Sequence, residues 1–260
     1  MTNKITSMFS RLAAQFLKPT LAILAALVVG GAWAAYDQIW TGETATDGKY
    51  YWSDNWKDGT GEWGNYVIGT ETPNAVVNFT GEPNSATYLF LENNSKVLFQ
   101  ADSSTAGLET SGTLTIGTGV QPSELIISNG VYDVHGDIAI AATKAGSLTI
   151  ADGAVVTCKG ADDSVRWVVF GVWSESGTEG GTSDCSINLD AGGSLEAFHI
   201  HRYTTAGSCA VNFNGGTLKA LGNTDDFITS TVTVTVGSNG GTIDVQDICP
   251  QTMLERRVKA

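Results

Sequence analysis

The 260-residue sequence is poor in the residues that build helical or nucleic-acid-binding proteins. Only 16% of its residues are charged and 31 are glycine, which argues against a long-helix protein rich in Ala, Glu, Lys and Leu. Basic residues are scarce, 14 against 27 acidic residues, so a nucleic-acid partner is disfavoured. The longest apolar run, at 21–29, has nine residues. Spanning a bilayer as a helix takes about 20, so no membrane-spanning helix is predicted in the mature chain.

The first 34 residues have the features of an export signal. They contain three basic residues, no acidic residue and the short apolar run. Small residues follow and end in Ala32-Trp33-Ala34, the small-x-small pattern at which signal peptides are cleaved. We predict that segment 1–34 is removed between Ala34 and Ala35. The remaining 226 residues would carry a net charge of −16. The alternative interpretation is a buried N-terminal helix.

From about residue 112 onward, one short pattern recurs: two alternating apolar positions, a glycine turn, then two more alternating apolar positions. The corner glycines of the five copies are 23, 40, 23 and 25 residues apart. They are Gly130, Gly153, Gly193, Gly216 and Gly241. Alternation with a period of two is typical of strands with one buried face, and a fixed period near 23 indicates a solenoid. The spacing of 40 indicates an insertion at about 161–184.

These features predict an all-β parallel β-helix with two strands and a glycine corner per coil, over residues 112–246. Equivalent residues of successive coils would stack about 4.8 Å apart. One inward apolar ladder is predicted to contain Leu195, Leu218 and Ile243, and another Ile187, Val211 and Val234. The third residue after each corner glycine is predicted to point outward: Asp133, Val156, Glu196, Lys219 and Asp244.

Three phrases of this pattern resemble the repeats of bacterial autotransporter passengers and related exported β-helix proteins. They are GSLTIADGAVV (146–156), INLDAGGSLEAF (187–198) and VNFNGGTLKAL (211–221). The opening IWTG (39–42) followed by YWSDNW (51–56) is similar to the start of exported proteins with autotransporter-associated β-strand repeats.

The resemblance covers about residues 36–246 and implies a right-handed parallel β-helix. It also implies export to the outer surface or surroundings of a Gram-negative-type bacterium, with the periplasm as an alternative. The fifteen residues after Val245 are too few for the translocator barrel that autotransporters carry, so we expect a passenger-like protein that lacks this barrel. The tail 247–260 leaves the repeat pattern. It is either a small cap or the mark of a truncated passenger.

Most of the tryptophan and tyrosine residues lie near the start of the mature chain, between residues 36 and 66. Aromatic side chains bury large areas, and the terminal coils of a solenoid need a cap. We therefore predict that segment 35–111 forms an aromatic-rich N-terminal cap and the first strands. The alternative is a glycan platform on which Trp40, Trp52, Trp56 and Trp63 stack sugar rings.

Two cysteines occupy equivalent positions of adjacent coils. Cys185 and Cys209 each precede the first apolar position of their coil by two residues. Stacking would bring their Cα atoms to about 5 Å, within the range that a disulfide requires. A disulfide is one prediction, and two buried free thiols are the alternative. Cys158 is predicted to be buried.

No pattern of residues predicts a catalytic site, a metal site or a cofactor. His199 and His201 share one face of a strand, but no third ligand lies near them in sequence. The nearest catalytic candidates are Asp162, Asp163 and Arg166. In this alternative, Trp167 and Trp173 would line a groove that binds the sugar chain. We expect an exported, non-enzymatic surface or secreted protein, adhesin-like or structural, with glycans or envelope components as partners. The alternatives are a glycan-binding module and a polysaccharide lyase or hydrolase.

Overall fold

The computed structural model describes residues 38–39, 65–68, 75–79, 84–92, 96–118, 121–171, 183–203, 207–222 and 226–245. All of these residues belong to one compact unit, Asp37–Ala260. The secondary structure in these ranges consists of β-strands, numbered here in chain order. A search of the same ranges finds no helix that is long and apolar enough to cross a membrane.

The strands form three sheets of seven strands each. Sheet 1 contains β1 (Gln38–Ile39), β2 (Asn65–Ile68), β5 (Tyr88–Glu92), β8 (Leu114–Thr118), β11 (Ile138–Ile140), β14 (Trp167–Phe170) and β17 (His199–Arg202). Sheet 2 contains β3 (Val76–Phe79), β6 (Lys96–Ala101), β9 (Ser123–Ser128), β12 (Gly146–Ala151), β15 (Cys185–Asp190), β18 (Cys209–Asn214) and β20 (Thr233–Val236). Sheet 3 contains β4 (Asn84–Ala86), β7 (Gly107–Thr110), β10 (Val131–Val134), β13 (Val155–Cys158), β16 (Ser194–Ala197), β19 (Thr217–Ala220) and β21 (Thr242–Asp244).

From β2 to β19 the chain visits sheets 1, 2 and 3 in turn, and neighbouring strands within each sheet are parallel. This arrangement is a parallel β-helix, so the predicted all-β fold class is confirmed. Each coil has three strands rather than the two that the repeat pattern predicted. The additional strand is the one in sheet 1. The predicted aromatic cap falls largely outside the described residues.

The inward ladders hold the coils together. Leu195 pairs with Leu218 and Leu218 with Ile243, as predicted. The predicted pairing of Ile187 with Val211, and of Val211 with Val234, is confirmed as well. The members in β15, β16, β18 and β19 are fully buried. Each such aliphatic side chain contributes about 1.5–3 kcal/mol when buried, so the stacking of coils forms the core.

The corner between sheets 2 and 3 explains one wrong prediction. Gly130 leads directly into β10, whereas Ala154 stands between Gly153 and β13. The extra residue shifts the register, so that Val156 pairs with Tyr132 and is fully buried. The prediction that Val156 points outward is therefore wrong, and Thr157 takes the outward position.

Sheet 1 differs from the other two sheets in its middle strands, β8 and β11, which are buried on both faces. In β9, β12 and β15 of sheet 2, buried and half-buried residues alternate. In β8 and β11 of sheet 1, every residue is buried. The outward residues Thr115, Ala139 and Val169 are only 5%, 7% and 4% exposed. The sequence of a strand that is buried on both faces is a continuous apolar run, so it does not show the alternation of apolar and polar residues with a period of two.

Candidate functional site

Three places on the described surface gather polar or aromatic side chains. An imidazole–indole cluster (Trp167, His199, His201, Tyr203) lies on the outer face of sheet 1. A charged corner (Glu109, His135, Lys159, Asp162, Asp163, Arg166) lies where the chain passes from sheet 3 to sheet 1. A polar groove crosses the start of sheet 2.

The imidazole–indole cluster is created by register. Trp167 of β14 lies opposite His199 of β17, and their rings stack with centroids 4.9 Å apart. His201 and Tyr203 follow on the same face, 4.4 Å apart. Tyr203 is also nearly parallel to Trp167 at 6.3 Å. All four side chains are half-buried, so the cluster joins two coils as cross-strand aromatic pairs do.

The two histidines have polar partners in the next coil. Nδ1 of His201 lies 3.1 Å from Oγ1 of Thr229, and Nδ1 of His199 lies 3.4 Å from the carbonyl oxygen of Asp226. Burial lowers the pKa of His201, and the charge of Asp226 opposes that shift. His201 is therefore a neutral imidazole at neutral pH. Within the described ranges, no group of three His, Cys, Asp or Glu residues is placed to hold a metal ion.

In the charged corner, each of the three catalytic candidates contacts a different partner. Asp163 pairs with Nζ of Lys159 at 2.8 Å, and Asp162 accepts a hydrogen bond from the backbone N–H of Ser164 at 3.2 Å. Hydrogen bonds from Ser164 lower the pKa of Asp162, which is therefore ionised and unsuited to be a general acid. Arg166 makes its hydrogen bond elsewhere: its Nε donates to the carbonyl oxygen of His135 at 2.8 Å.

His135 continues this corner into the preceding coil. Its Nε2 lies 3.0 Å from a carboxylate oxygen of Glu109, and its Nδ1 lies 3.0 Å from the carbonyl oxygen of Lys159. The corner therefore links successive coils by charge-assisted contacts. Trp173, the other aromatic residue predicted to line a sugar groove, is outside the described residues.

Cys185 and Cys209 are register partners in β15 and β18. Their Cα atoms are 4.8 Å apart, and the sulfur atoms are placed as a disulfide. Both cysteines are buried. Cys158 is a free thiol that is fully buried, as predicted, and burial raises its pKa. A thiol of this kind reacts slowly because the thiolate is the nucleophile. Cys249 is outside the described ranges.

The polar groove, of about 630 Å³, crosses five successive strands of sheet 2 near their first residues. Its lining consists of Lys96, Pro122, Ser123, Glu124, Ala145, Gly146, Ser147, Asp184, Cys185, Ser186, Ser208, Ala210 and Asn212. Sequence reasoning missed this groove. The available signal was that Ser147, Ser186 and Ala210 hold equivalent positions in three copies of the pattern, where small residues leave space.

The remaining predicted residues are outside the part of the chain that the structure describes. They are the cleavage pair Ala34 and Ala35 and the platform candidates Trp40, Trp52, Trp56 and Trp63. These assignments stay predictions.

Comparison with known proteins gives no match: no family model, no curated protein and no solved structure matches the chain. The resemblance to autotransporter passengers therefore stands on the repeated phrases of the sequence.

Proposed function

We propose that the protein is an exported, non-enzymatic β-helix that acts as a structural, adhesin-like component at a bacterial surface or in its surroundings. The observation that carries the proposal is the use of outward polar side chains to join coils. Lys219 contacts both carboxylate oxygens of Glu196 in the coil before it, at 3.0 and 3.1 Å. Such contacts support a scaffold that presents a continuous outer surface.

A second set of contacts supports the same role. Nδ2 of Asn212 donates to Oδ1 of Asn188 at 2.9 Å, and Nδ2 of Asn188 donates to Oγ1 of Thr149 at 3.1 Å. Thr235 donates in turn to Oδ1 of Asn212. This amide ladder spans four strands of sheet 2. Side chains that hydrogen-bond one another along the stack favour a structural use of this face.

The contacts of the charged corner support a non-enzymatic role. Polysaccharide-cleaving chemistry needs carboxylates that converge on one bond, with a cation to stabilise developing charge. Asp163 is paired with Lys159 within the same corner, and Arg166 donates to the backbone carbonyl of His135 in the preceding coil, so both groups are held by structural contacts.

The test of export uses the full chain expressed in a Gram-negative-type bacterium. Cell fractionation is expected to place the protein outside the cytoplasm, and N-terminal sequencing is expected to start at Ala35. Exported protein that still begins at Met1, or protein confined to the cytoplasm, would overturn the proposed export.

The test of activity measures new reducing or unsaturated ends on polyuronates and neutral polysaccharides incubated with the mature protein. We expect none. Cleavage that is lost in Arg166→Ala and retained in Arg202→Ala, a control arginine that also binds backbone carbonyls, would make the protein an enzyme.

A further inference from the structure

The polar groove owes its depth to the sizes of residues that lie above one another. The outward positions of β6, β9, β12, β15 and β18 are in register along the stack. Their occupants are Lys96, Glu124, Ser147, Ser186 and Ala210. The first two side chains are long and the last three are small. The groove therefore runs parallel to the axis of the coils and is bounded at one end by the Lys96–Glu124 ion pair, 3.1 Å long.

The floor of the groove presents hydroxyl groups that the protein does not use. The side chains of Ser147 and Ser186 are half-buried, and neither hydroxyl makes a hydrogen bond within the described part of the chain. The neighbouring row differs, because Asn188 and Asn212 are hydrogen-bonded to each other. One unused hydroxyl is thus offered by each of two successive coils, about 4.8 Å apart.

Two carboxylates add acceptors at the sides. Asp184 lies at the corner before β15, where one of its oxygens accepts hydrogen bonds from the backbone N–H and the hydroxyl of Ser208, at 2.7 and 2.8 Å. These bonds lower the pKa of Asp184, so it is ionised at neutral pH. Glu124 is neutralised by Lys96, which leaves the groove with one uncompensated negative charge. A polyanionic ligand is therefore repelled, by the groove as by the acidic body.

We propose that this groove binds an uncharged polysaccharide chain lying along the axis of the coils, with one sugar unit per coil. A pyranose unit in an extended glycan is close in length to the spacing of the coils, about 4.8 Å, so two successive units lie beside the equivalent hydroxyls of Ser147 and Ser186. An extended peptide advances about 3.3 Å per residue and does not keep this register. Sugar hydroxyls donate to Asp184 and Glu124 and exchange hydrogen bonds with Ser147 and Ser186.

This inference deepens the proposed function and rests on it, since chains of this kind are met outside the cytoplasm. It names the ligand class of the adhesin-like role. Binding by the purified mature protein tests the groove alone, whereas fractionation tests export alone. If the protein is exported but does not bind, the proposed binding in the groove is wrong. If it binds but stays in the cytoplasm, the proposed location is wrong.

The experiment is affinity electrophoresis of the mature protein in native gels that contain dextran, laminarin, galactomannan or the anionic polymer alginate. We expect at least one uncharged polymer to retard the protein and alginate not to do so. Ser186→Tyr fills the groove and is expected to weaken retardation about tenfold or more. Ser186→Ala, which removes one hydroxyl, is expected to weaken it about fivefold, the value of one hydrogen bond.

Ser194→Tyr is the matched control, because Ser194 is a half-buried serine on the outer face of sheet 3. Tyrosine suits outward strand positions, so both variants should fold, which equal unfolding midpoints would verify. No retardation by any uncharged polymer, equal weakening by Ser186→Tyr and Ser194→Tyr, or preferential retardation by alginate would each overturn the proposal.

Discussion

The outer faces of sheets 1 and 2 are built from the same coils, yet they are used in different ways. On sheet 1, Thr115, Ala139 and Val169 are buried, although they point away from the interior of the coil. On sheet 2, the outward positions of β12 and β15 include half-buried serine, threonine and asparagine side chains. One circuit of the chain therefore combines a strand that is apolar on both sides with a strand that keeps one side polar. The polar side carries the groove.

The largest expected effect comes from placing a charge on each outer face. Val169→Asp puts a carboxylate where the native side chain is 4% exposed, and an unpaired buried charge costs about 3–5 kcal/mol of unfolding free energy. Ser186→Asp on sheet 2 should change stability by about 0.5 kcal/mol or less. Urea unfolding of both variants measures the difference. Equal losses in the two variants would contradict the contrast between the faces.

The disulfide between Cys185 and Cys209 links β15 to β18 in sheet 2, so its contribution to stability can be compared between the native protein and a variant without the two cysteines. It closes a loop with a sequence separation of 24, for which chain entropy gives about 3 kcal/mol. Reduction should lower the unfolding midpoint of the native protein and leave a Cys185→Ala/Cys209→Ala variant unchanged. Titration of denatured, unreduced protein should find no more than two thiols. A titration that finds four thiols would show that the disulfide does not form.

The amide ladder should contribute less than either of these. Asn212→Ala removes the hydrogen bonds to Asn188 and Thr235 and should cost about 1–2 kcal/mol, at about 1 kcal/mol per bond. Thr217→Ala, at a half-buried outward position of sheet 3, is the control and should cost less. Denaturant unfolding of both variants supplies the measurement. A neutral Asn212→Ala would mean that the ladder adds no stability.

The smallest effect concerns pH and sheet 1. Burial lowers the pKa of His201 below its usual value, although Asp226 opposes the shift and His199 adds to it. The fold favours the neutral ring, so its contribution is complete above about pH 6.5 and is lost as the pH falls toward the lowered pKa. His201→Gln should therefore flatten the fall in stability between about pH 7 and 5. An unchanged pH dependence, measured by thermal unfolding, would contradict the lowered pKa.

Alternation made sheets 2 and 3 predictable from the sequence. Leu195 and Leu218, or Ile187 and Val211, recur at one coil spacing between half-buried neighbours, and their pairing follows from the repeat. The same spacing brought Cys185 opposite Cys209. Where the corner contains an extra residue, such as Ala154, counting positions from the corner glycine predicts the wrong side-chain direction, because every following residue is shifted by one position.

Sheet 1 could not be found in this way. The runs at β11 and β14 are apolar at successive positions, so they show no period of two. The groove was missed for another reason. Its shape depends on the sizes of the outward side chains that lie above one another, whereas the repeat pattern is defined by its apolar and glycine positions and does not include these residues. Asp162 and Arg166 are neighbours in sequence, but their hydrogen bonds lead to different partners.

The register on either side of the corner between β14 and β15 is independent of the length of chain that joins them. Thr149 and Asn188 are 39 residues apart and still bond across adjacent coils, as do Asn188 and Asn212, which are 24 apart. Doubling the length of such a loop costs only about 0.6 kcal/mol. Extra chain inserted between Gly171 and Ser183 is therefore expected to leave the register of the flanking strands unchanged, so that an epitope or a whole foreign domain can be grafted at this point of the sequence.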